Sequence, residues 1–348
     1  MGWRGGWWPG ANRVVSHKMK MREVVATANA NVALAKYWGK RDDVLNLPYT
    51  GSLSVTLSGL TATASASFLG GLSEDRVFLS GQEAAGVEAR RFRAFLDLIR
   101  RIAGIDAKAE VAISSNFPVA AGLASSASTF AALAVAATHA AGLSLSGEKL
   151  SVLARCGSGS AARSIYGGYV EWLAGEASDG SDSFAVQVAP PDYWPIGVVI
   201  AVTDEGRKRI GSREGMAHVV KQSPFFTAWL ESHDADLEAI RAGIQGRDLR
   251  RVGAAAEHNC LKMHAVSLAA QPAILYWTPA TVAVIQRVVE LRHEGLEAYF
   301  TIDAGPQVKV LCLPQQRAAV AHEIGRVPGV QRVLLSEPGC GAQVVEAA

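Results

Sequence analysis

Two lysines, Lys36 and Lys40, stand four residues apart in "AKYWGKRD", around a Tyr-Trp-Gly turn. They follow "VVATANANVALA", a run without a single charge. A cation entering from such a run is costly to desolvate unless an anion meets it, so the pair asks for an anionic partner. A second signal is "PVAAGLASSAS", Pro118 to Ser128, where a strand ends, a loop of small residues follows and an Ala-rich helix begins. Small side chains let backbone N–H groups close on an anion, and a helix N-terminus adds roughly half a positive charge. Ser125, Ser126 and Ser128 supply hydroxyls for phosphate oxygens or a magnesium ion. No Gly-Lys-Ser/Thr occurs, so this is not a Walker A loop; the alternative is a tight turn with serine caps.

Three further stretches each allow two readings. "GSGSAARS" leads to Arg163, a surface residue unless its loop faces the first one, in which case it can grip a carboxylate through two parallel hydrogen bonds. "TIDAGP" places Asp303 where a strand stops, either as a catalytic carboxylate or as a local turn former. "GSREGM" offers Ser212 and Arg213 before a helix; on pattern alone Ser212 reads as the N-cap and Arg213 as solvated. "EHNCLKMH" mimics a metal cluster, but His258 lies on a different helical face from Cys260 and His264, so these are core and surface helix residues. The arginines Arg90, Arg91, Arg93, Arg100 and Arg101 read as the solvated face of an amphipathic helix that buries Phe92, Phe95, Leu96 and Ile99.

The elements that must position these residues follow from periodicity. Strands are expected to about Ala35, over "LSVTLSGLTATASASFL" as one or two, and over "RVFLSGQEA" and "AEVAISSNF". The Ala-rich helix spans about 127–141, and "SGEKLSVLAR" is another. Three prolines in "APPDYWP" mark a boundary near residue 190. Beyond it come a strand ("IGVVIAVT"), a helix from about Gly215 and two helices around 234–270. A helix then has Thr278 as N-cap, Pro279 at its first position and Gly295 as its stop. "LEAYFTI", "VKVLCLP", a last helix and "VQRVLLSEPG" complete an α+β half.

Composition narrows the role. Hydrophobic residues make up 49% and charged residues 19%, which suits a folded chain with a sizeable core. Thirty-four basic against thirty-two acidic residues give a formal charge of +2, which supports neither a nucleic-acid nor a membrane-surface role. The apolar stretch "FAALAVAATHAAGL" is shorter than a membrane span. Cys156, Cys260, Cys312 and Cys340 form no CxxC pair and read as reduced thiols of a cytoplasmic protein. The start, "MGWRGGWWPGANRVVSHKMK", has no apolar h-region; residues 1–21 are expected to be a disordered extension.

Taken together the motifs are more specific than any one of them. "NFPVAAGLASSAS" resembles the phosphate loop of the GHMP small-molecule kinase superfamily. "ANANVALAKYWGKRD…NLPYTGSLSVTL", "RCGSGSAARSIYGGYVEW", "SREGM", "AEHNCLKMHA" and "TIDAGPQVKVLC", in that order over about residues 22–345, resemble one branch of it, diphosphomevalonate decarboxylase. The resemblance implies an α+β GHMP-kinase fold. Residues 22–190 would form a ribosomal-protein-S5-domain-2-like, ATP-binding domain and 191–348 a ferredoxin-like α/β sandwich, with the cleft between them. It implies an ATP- and Mg²⁺-dependent reaction: the 3-hydroxyl of mevalonate 5-diphosphate is phosphorylated, then phosphate and CO₂ leave to give isopentenyl diphosphate. It also implies a homodimer.

By the same resemblance Asp303 takes or orients the hydroxyl proton, Lys36 offsets charge on the transferred phosphate and Arg163 holds the substrate carboxylate. Tyr37, Lys40, Ser212 and Arg213 match diphosphate contacts; Asn31, Trp38, Ser158, Gly159 and Ser160 match other substrate positions. Pro118, Ala121, Gly122, Leu123, Ala124, Ser125 and Ser126 match the ATP loop, with Ser125 and Ser126 as magnesium contacts. Departures from the family pattern are Thr50-Gly51 for Asn-Ser, Gly211 for Ser, Asn29 for Pro and Gln307 for Asn. They remove hydroxyls near the substrate and keep a phosphomevalonate decarboxylase as the rival, although the retained Tyr37, Lys40, Ser212 and Arg213 favour the diphosphate. A kinase that stops after phosphorylation and a non-catalytic nucleotide-binding regulator are the other rivals, and the intact Lys36, Arg163 and Asp303 argue against both.

Overall fold

The computed structural model describes residues 12–13, 23–117, 125–206 and 208–345. Its organising element is a single strand of 18 residues, Ser52–Leu69, rich in the Val, Thr and Ser that suit a pleated surface. Val24–Ala35 runs antiparallel along one edge. On the other edge Tyr169–Trp172 takes the first residues of the long strand and Lys108–Ser115 takes the last. Ala185–Ala189, Arg76–Leu79 and Gln82–Glu83 extend this sheet, and Gln343–Val345 joins it by pairing with Val25–Thr27, giving eight strands.

Helix α1 (Gly86–Ala103) buries Phe92, Phe95, Leu96 and Ile99, as its spacing predicts. Its arginines do not form one solvated face, however. Arg100 is buried and ion-paired to Asp75 at 2.7 Å, and Arg91 turns back to donate to Gly157 O at 2.8 Å while stacking over Phe130. Helix α2 (Ser125–Ala140) is buried from Ala127 to Thr138, because small alanines let it lie close against the sheet. Helices α3 (Gly147–Gly157) and α4 (Ala161–Ser164) follow it, and α3 is capped by the Ser146 side chain.

In the second half, α5 (Ser212–Gln222) has Gly211, not Ser212, at its N-cap and no side-chain cap bond, so the expected capping role of Ser212 fails. Helix α6 (Phe226–Gly246) starts well before residue 234, and α7 (Leu249–Leu268) follows after a short turn. Four antiparallel strands, in the order Ala298–Ile302, Val308–Cys312, Gly197–Val202, Arg332–Ser336, form the second sheet. One face packs with α6 and α7 against Val32, Leu34 and Val55 of the first sheet. The other is covered by α8 (Pro279–His293) and α9 (Arg317–Gly325). α8 has the expected Thr278 N-cap, in a box with Thr281, and Pro279 in its first turn.

Two further sequence expectations change. The chain passes between the sheets at 190–196, but its last residues return to the first sheet, so they do not belong with the second half. Three residues of strand carry too little pattern to reveal this. Of the N-terminal extension only Asn12–Arg13 are described, as a short strand on Leu143–Ser144 rather than disordered chain; the rest of 1–21 lies outside the described residues.

Candidate active site

A cleft of about 560 Å³ is lined from both halves of the chain. Among the described residues its wall carries six cationic side chains, Lys36, Lys40, Arg91, Arg163, Lys208 and Arg213, against two carboxylates, Glu88 and Asp303. A concave surface with that imbalance suits a polyanionic ligand.

One end is sealed. The strand Val24–Ala35 delivers Lys36, 1% exposed, whose Nζ donates to Ala33 O at 2.8 Å and to Asp303 Oδ1 at 2.9 Å. The Lys36 backbone N–H donates to Asn259 Oδ1 of α7 at 2.8 Å, which fixes where the strand ends. Asp303 follows the strand Ala298–Ile302, and a second lysine, Lys309, stands 3.1 Å from its Oδ2. That approach is a buried ion pair. Burial by itself would raise the Asp303 pKa, but Lys309 and Lys36 together hold it well below the usual carboxylate range. Burial pushes the Lys309 pKa down, with Asp303 opposing and Lys36 adding to the fall.

Arg163, on α4, lies beside this end, 2% exposed. Its Nε and Nη2 donate to Asn31 Oδ1 at 3.3 and 3.2 Å, and its Nη1 donates to Ser52 Oγ at 2.5 Å. Asn31 is aimed in turn by donating to Ser160 O and Ser164 Oγ. Among the described residues no carboxylate pairs directly with Arg163, so its charge is held only by neutral acceptors. Burial pushes its pKa down to about 10, opposed by Asp303 and Tyr37, and it stays cationic at neutral pH.

The other end is more open. Gly39, at φ +108°, makes the turn that separates Lys40 from Lys36; a Cβ there would also stand 2.6 Å from the Phe226 ring. Tyr37 packs edge-on to Trp172 at 4.7 Å and passes so close to Gly159 that a Cβ on that residue would come within 2.6 Å of its ring. Tyr37 Oη and Trp38 Nε1 are buried with no partner among the described residues. Both are hydrogen-bond donors in the cleft wall, and buried donors of this kind ask for an acceptor from a ligand. Lys40 donates to Asn46 Oδ1 at 2.8 Å and lies 3.5 Å from Asp43. Burial, then repulsion from Arg213, push its pKa down to about 8 against the pull of Asp43. Ser126 Oγ, at the start of α2, is 3.3 Å from Ser158 Oγ.

Every anticipated site residue that the structure describes lines this one cleft, including Asn31, Ser160, Ser212 and Ser125. Pro118, Ala121, Gly122, Leu123 and Ala124 lie outside the described residues. His258 is exposed on Asp236, while Cys260 and His264 are buried against Ile302, so the apparent metal cluster is not one. Sequence reasoning missed Lys309, Arg91, Lys208 and Ser52. For Lys309 the signal was present: a lysine amid "VKVLC" breaks an apolar strand as Lys36 does.

Two packed α+β halves with a cationic cleft at their junction define a GHMP-type, ATP-using enzyme class. Family models for the diphosphomevalonate decarboxylase-like N-terminal domain and the mevalonate 5-diphosphate decarboxylase C-terminal domain match residues 28–185 and 198–341. The chain belongs to the diphosphomevalonate decarboxylase family. It is 38% identical to diphosphomevalonate decarboxylase of Ganoderma lucidum over 84% of this chain and 78% of that one. Its structure resembles mevalonate diphosphate decarboxylase from Staphylococcus aureus with a TM-score of 0.89 and 36% identity, over 94% of this chain and 98% of that one. It also resembles MDDEF in complex with MVAPP, AMPPCP and magnesium, with a TM-score of 0.88 and 37% identity, over 94% and 100% of the two chains.

The donor set can be tested against magnesium. Among the described residues no group of three or more His, Cys, Asp or Glu side chains gathers to cage a metal. The cleft offers serine hydroxyls instead, at Ser125, Ser126 and Ser158. This fits a magnesium ion held mainly by nucleotide phosphates and water, which is how Mg²⁺ is usually bound beside a phosphoryl donor.

Proposed function

We propose that this chain catalyses the ATP-dependent decarboxylation of mevalonate 5-diphosphate to isopentenyl diphosphate, releasing ADP, phosphate and CO₂. The observation that carries the reading is the Lys36–Asp303–Lys309 group in a cation-rich cleft beside an Arg163 held only by neutral groups.

The first step transfers the γ-phosphoryl group of ATP to the oxygen on C3. Phosphoryl transfer passes through a loose transition state, so positioning and charge neutralisation matter more than a strong base. Asp303 suits that demand: too acidic to strip an alcohol in the ground state, it orients the hydroxyl and takes its proton as the new P–O bond forms. Lys36 offsets negative charge on the moving group. Ser125 and Ser126 would hold a magnesium ion bound with the ATP phosphates, which would supply further neutralisation. The apolar corner of Leu79, Phe92, Ile113 and Phe130 suits the adenine ring.

In the second step the C3–O bond breaks and phosphate departs with its electron pair. The C1–C2 bond then supplies the electrons of the new C2–C3 double bond and CO₂ is lost. Arg163 binds the carboxylate as an anion through the first step. Tyr37, Lys40, Ser212 and Arg213 hold the diphosphate, and Asn31 and Trp38 with Ser158, Gly159 and Ser160 shape the wall around the substrate.

The test is turnover of mevalonate 5-diphosphate and 5-phosphate side by side, scoring ADP and CO₂. One CO₂ per ADP with the diphosphate preferred is the expected result; ADP without CO₂ would identify a kinase. The same proposal includes a homodimer, to be checked by sedimentation, and a cytoplasmic setting, which four free cysteines support. No helix among the described residues is long and apolar enough to cross a membrane.

A further inference from the structure

Lys309 is the second residue of Val308–Cys312, a strand buried at every residue, and lies between Ile200 on one side and Thr301 on the other. Val308 and Val310 turn into the core under α8 and α9. Strand alternation therefore sends Lys309 and Leu311 to the opposite face, which meets the first sheet. Leu311 packs there among Val32 and Leu34, and Thr301 Oγ1 donates to Ala33 O at 3.3 Å. A lysine in this place gives up water that an apolar side chain would not need, and only a paired anion makes that tolerable. The anion is Asp303.

Asp303 thus faces two lysines where one would neutralise it. Their positions differ: Lys36 lines the cleft and Lys309 does not. The carboxylate is the accessible member, its side chain 23% exposed against 2% and 3% for the lysines. Without Lys309, the Lys36–Asp303 pair would carry no net charge, and an arriving phosphate would meet a bare dipole. With it, the trio keeps a net positive charge at the cleft wall.

Resting on the decarboxylase reading above, we propose that Lys309 is a positioning residue for this reaction: it anchors Asp303 from behind and leaves the charge of Lys36 to the transferred phosphoryl group. Among the described residues the other groups around Asp303 do not duplicate this. Lys208, after the strand Gly197–Val202, is engaged with Ala304 O at 2.8 Å, and Arg163 on α4 is engaged with Asn31 and Ser52. On α7, burial pushes the Cys260 thiol up to about 11, and burial with Lys36 pushes His264 down to about 3, so neither carries charge near neutrality.

Lys309→Met and Lys309→Gln test the proposal, with ADP and CO₂ release followed across pH. Gln keeps the bulk and a donor toward Oδ2 but no charge, so the test survives if the Met variant does not fold. In the folded variants kcat should fall about 10- to 100-fold while the substrate KM stays within about threefold. The acid limb of the kcat profile should rise by about one pH unit or more, because Asp303 has lost one of its two cations. In an Asp303→Asn background the substitution should add little, less than about threefold. An unmoved acid limb, or a loss fully additive with Asp303→Asn, overturns the proposal, since a merely structural lysine would give both. A wild-type protein that releases no CO₂ overturns the decarboxylase reading instead.

Discussion

The two ends of the cleft handle charge in opposite ways. Around Asp303 the charged groups are fixed in place: Lys36 and Lys309 share one carboxylate at strands or strand ends, and Arg163 beside them is held by Asn31 and Ser52. Around Lys40 and Arg213 the cations mainly repel one another, and Arg91 joins them from α1. The first end is arranged before any ligand arrives, as a site of chemistry must be. The second is under-neutralised, which suits a surface completed by a diphosphate. On the proposed roles reaction and binding are separated in space, so substitutions at the two ends should split between kcat and KM.

The largest effect should come from the chemical end. Asp303→Asn should lower kcat by on the order of 10³- to 10⁴-fold with ATP binding retained, measured by ADP release and nucleotide titration. An unchanged rate would show that the sealed end does no chemistry. Arg163→Gln should follow, losing about 10²- to 10³-fold in kcat/KM in the same assay, because the guanidinium proposed to meet the carboxylate is gone. If the loss fell in KM for ATP alone, Arg163 would belong to the nucleotide.

At the binding end Arg213→Ala should raise the substrate KM about 10- to 100-fold and change kcat much less. Lys40 gives a pH signature there. Its lowered pKa, about 8, means it is cationic below that value and loses charge above it. Free-enzyme kcat/KM should therefore fall as pH rises through about 8, and Lys40→Arg should remove that limb. The smallest effect is steric: Gly159→Ala pushes on the Tyr37 ring and should raise KM by about tenfold or less, with the unfolding temperature little changed.

The sequence exposed the sealed end better than the open one. Lys36, Asp303 and Arg163 were marked by local pattern (a cation after an apolar run, an acid at a strand stop, an arginine after a Gly/Ser loop), but that pattern left two readings for Asp303 and Arg163, and the family resemblance supplied their roles. Lys309 carried the same mark and sat in a quoted motif, yet period-two alternation alone does not say which strand end it faces. Arg91 and Arg100 were misread because a helix pattern separates polar from apolar faces but cannot tell water from a cleft or a buried acid. Asp75, the partner of Arg100, is 25 residues away in sequence. Ser212 was assigned to a cap that Gly211 fills, since both fit the same local signal. The fold class was legible from α and β periods; the return of the chain end to the first sheet was not, because it depends on long-range pairing.

That return has a mechanical consequence. Ser58 N–H donates to Glu337 O and Gly339 N–H donates to Thr56 O, each at 2.8 Å, before Gln343–Val345 completes its pairing with the edge strand. The two halves are therefore tied by the chain twice, once at 190–196 and again by this closing clasp. A wide hinge opening about the first link would have to peel the second away. Ligand entry is then left to the open end of the cleft, and a load on Gln343–Val345 would pull on the first sheet, not the second.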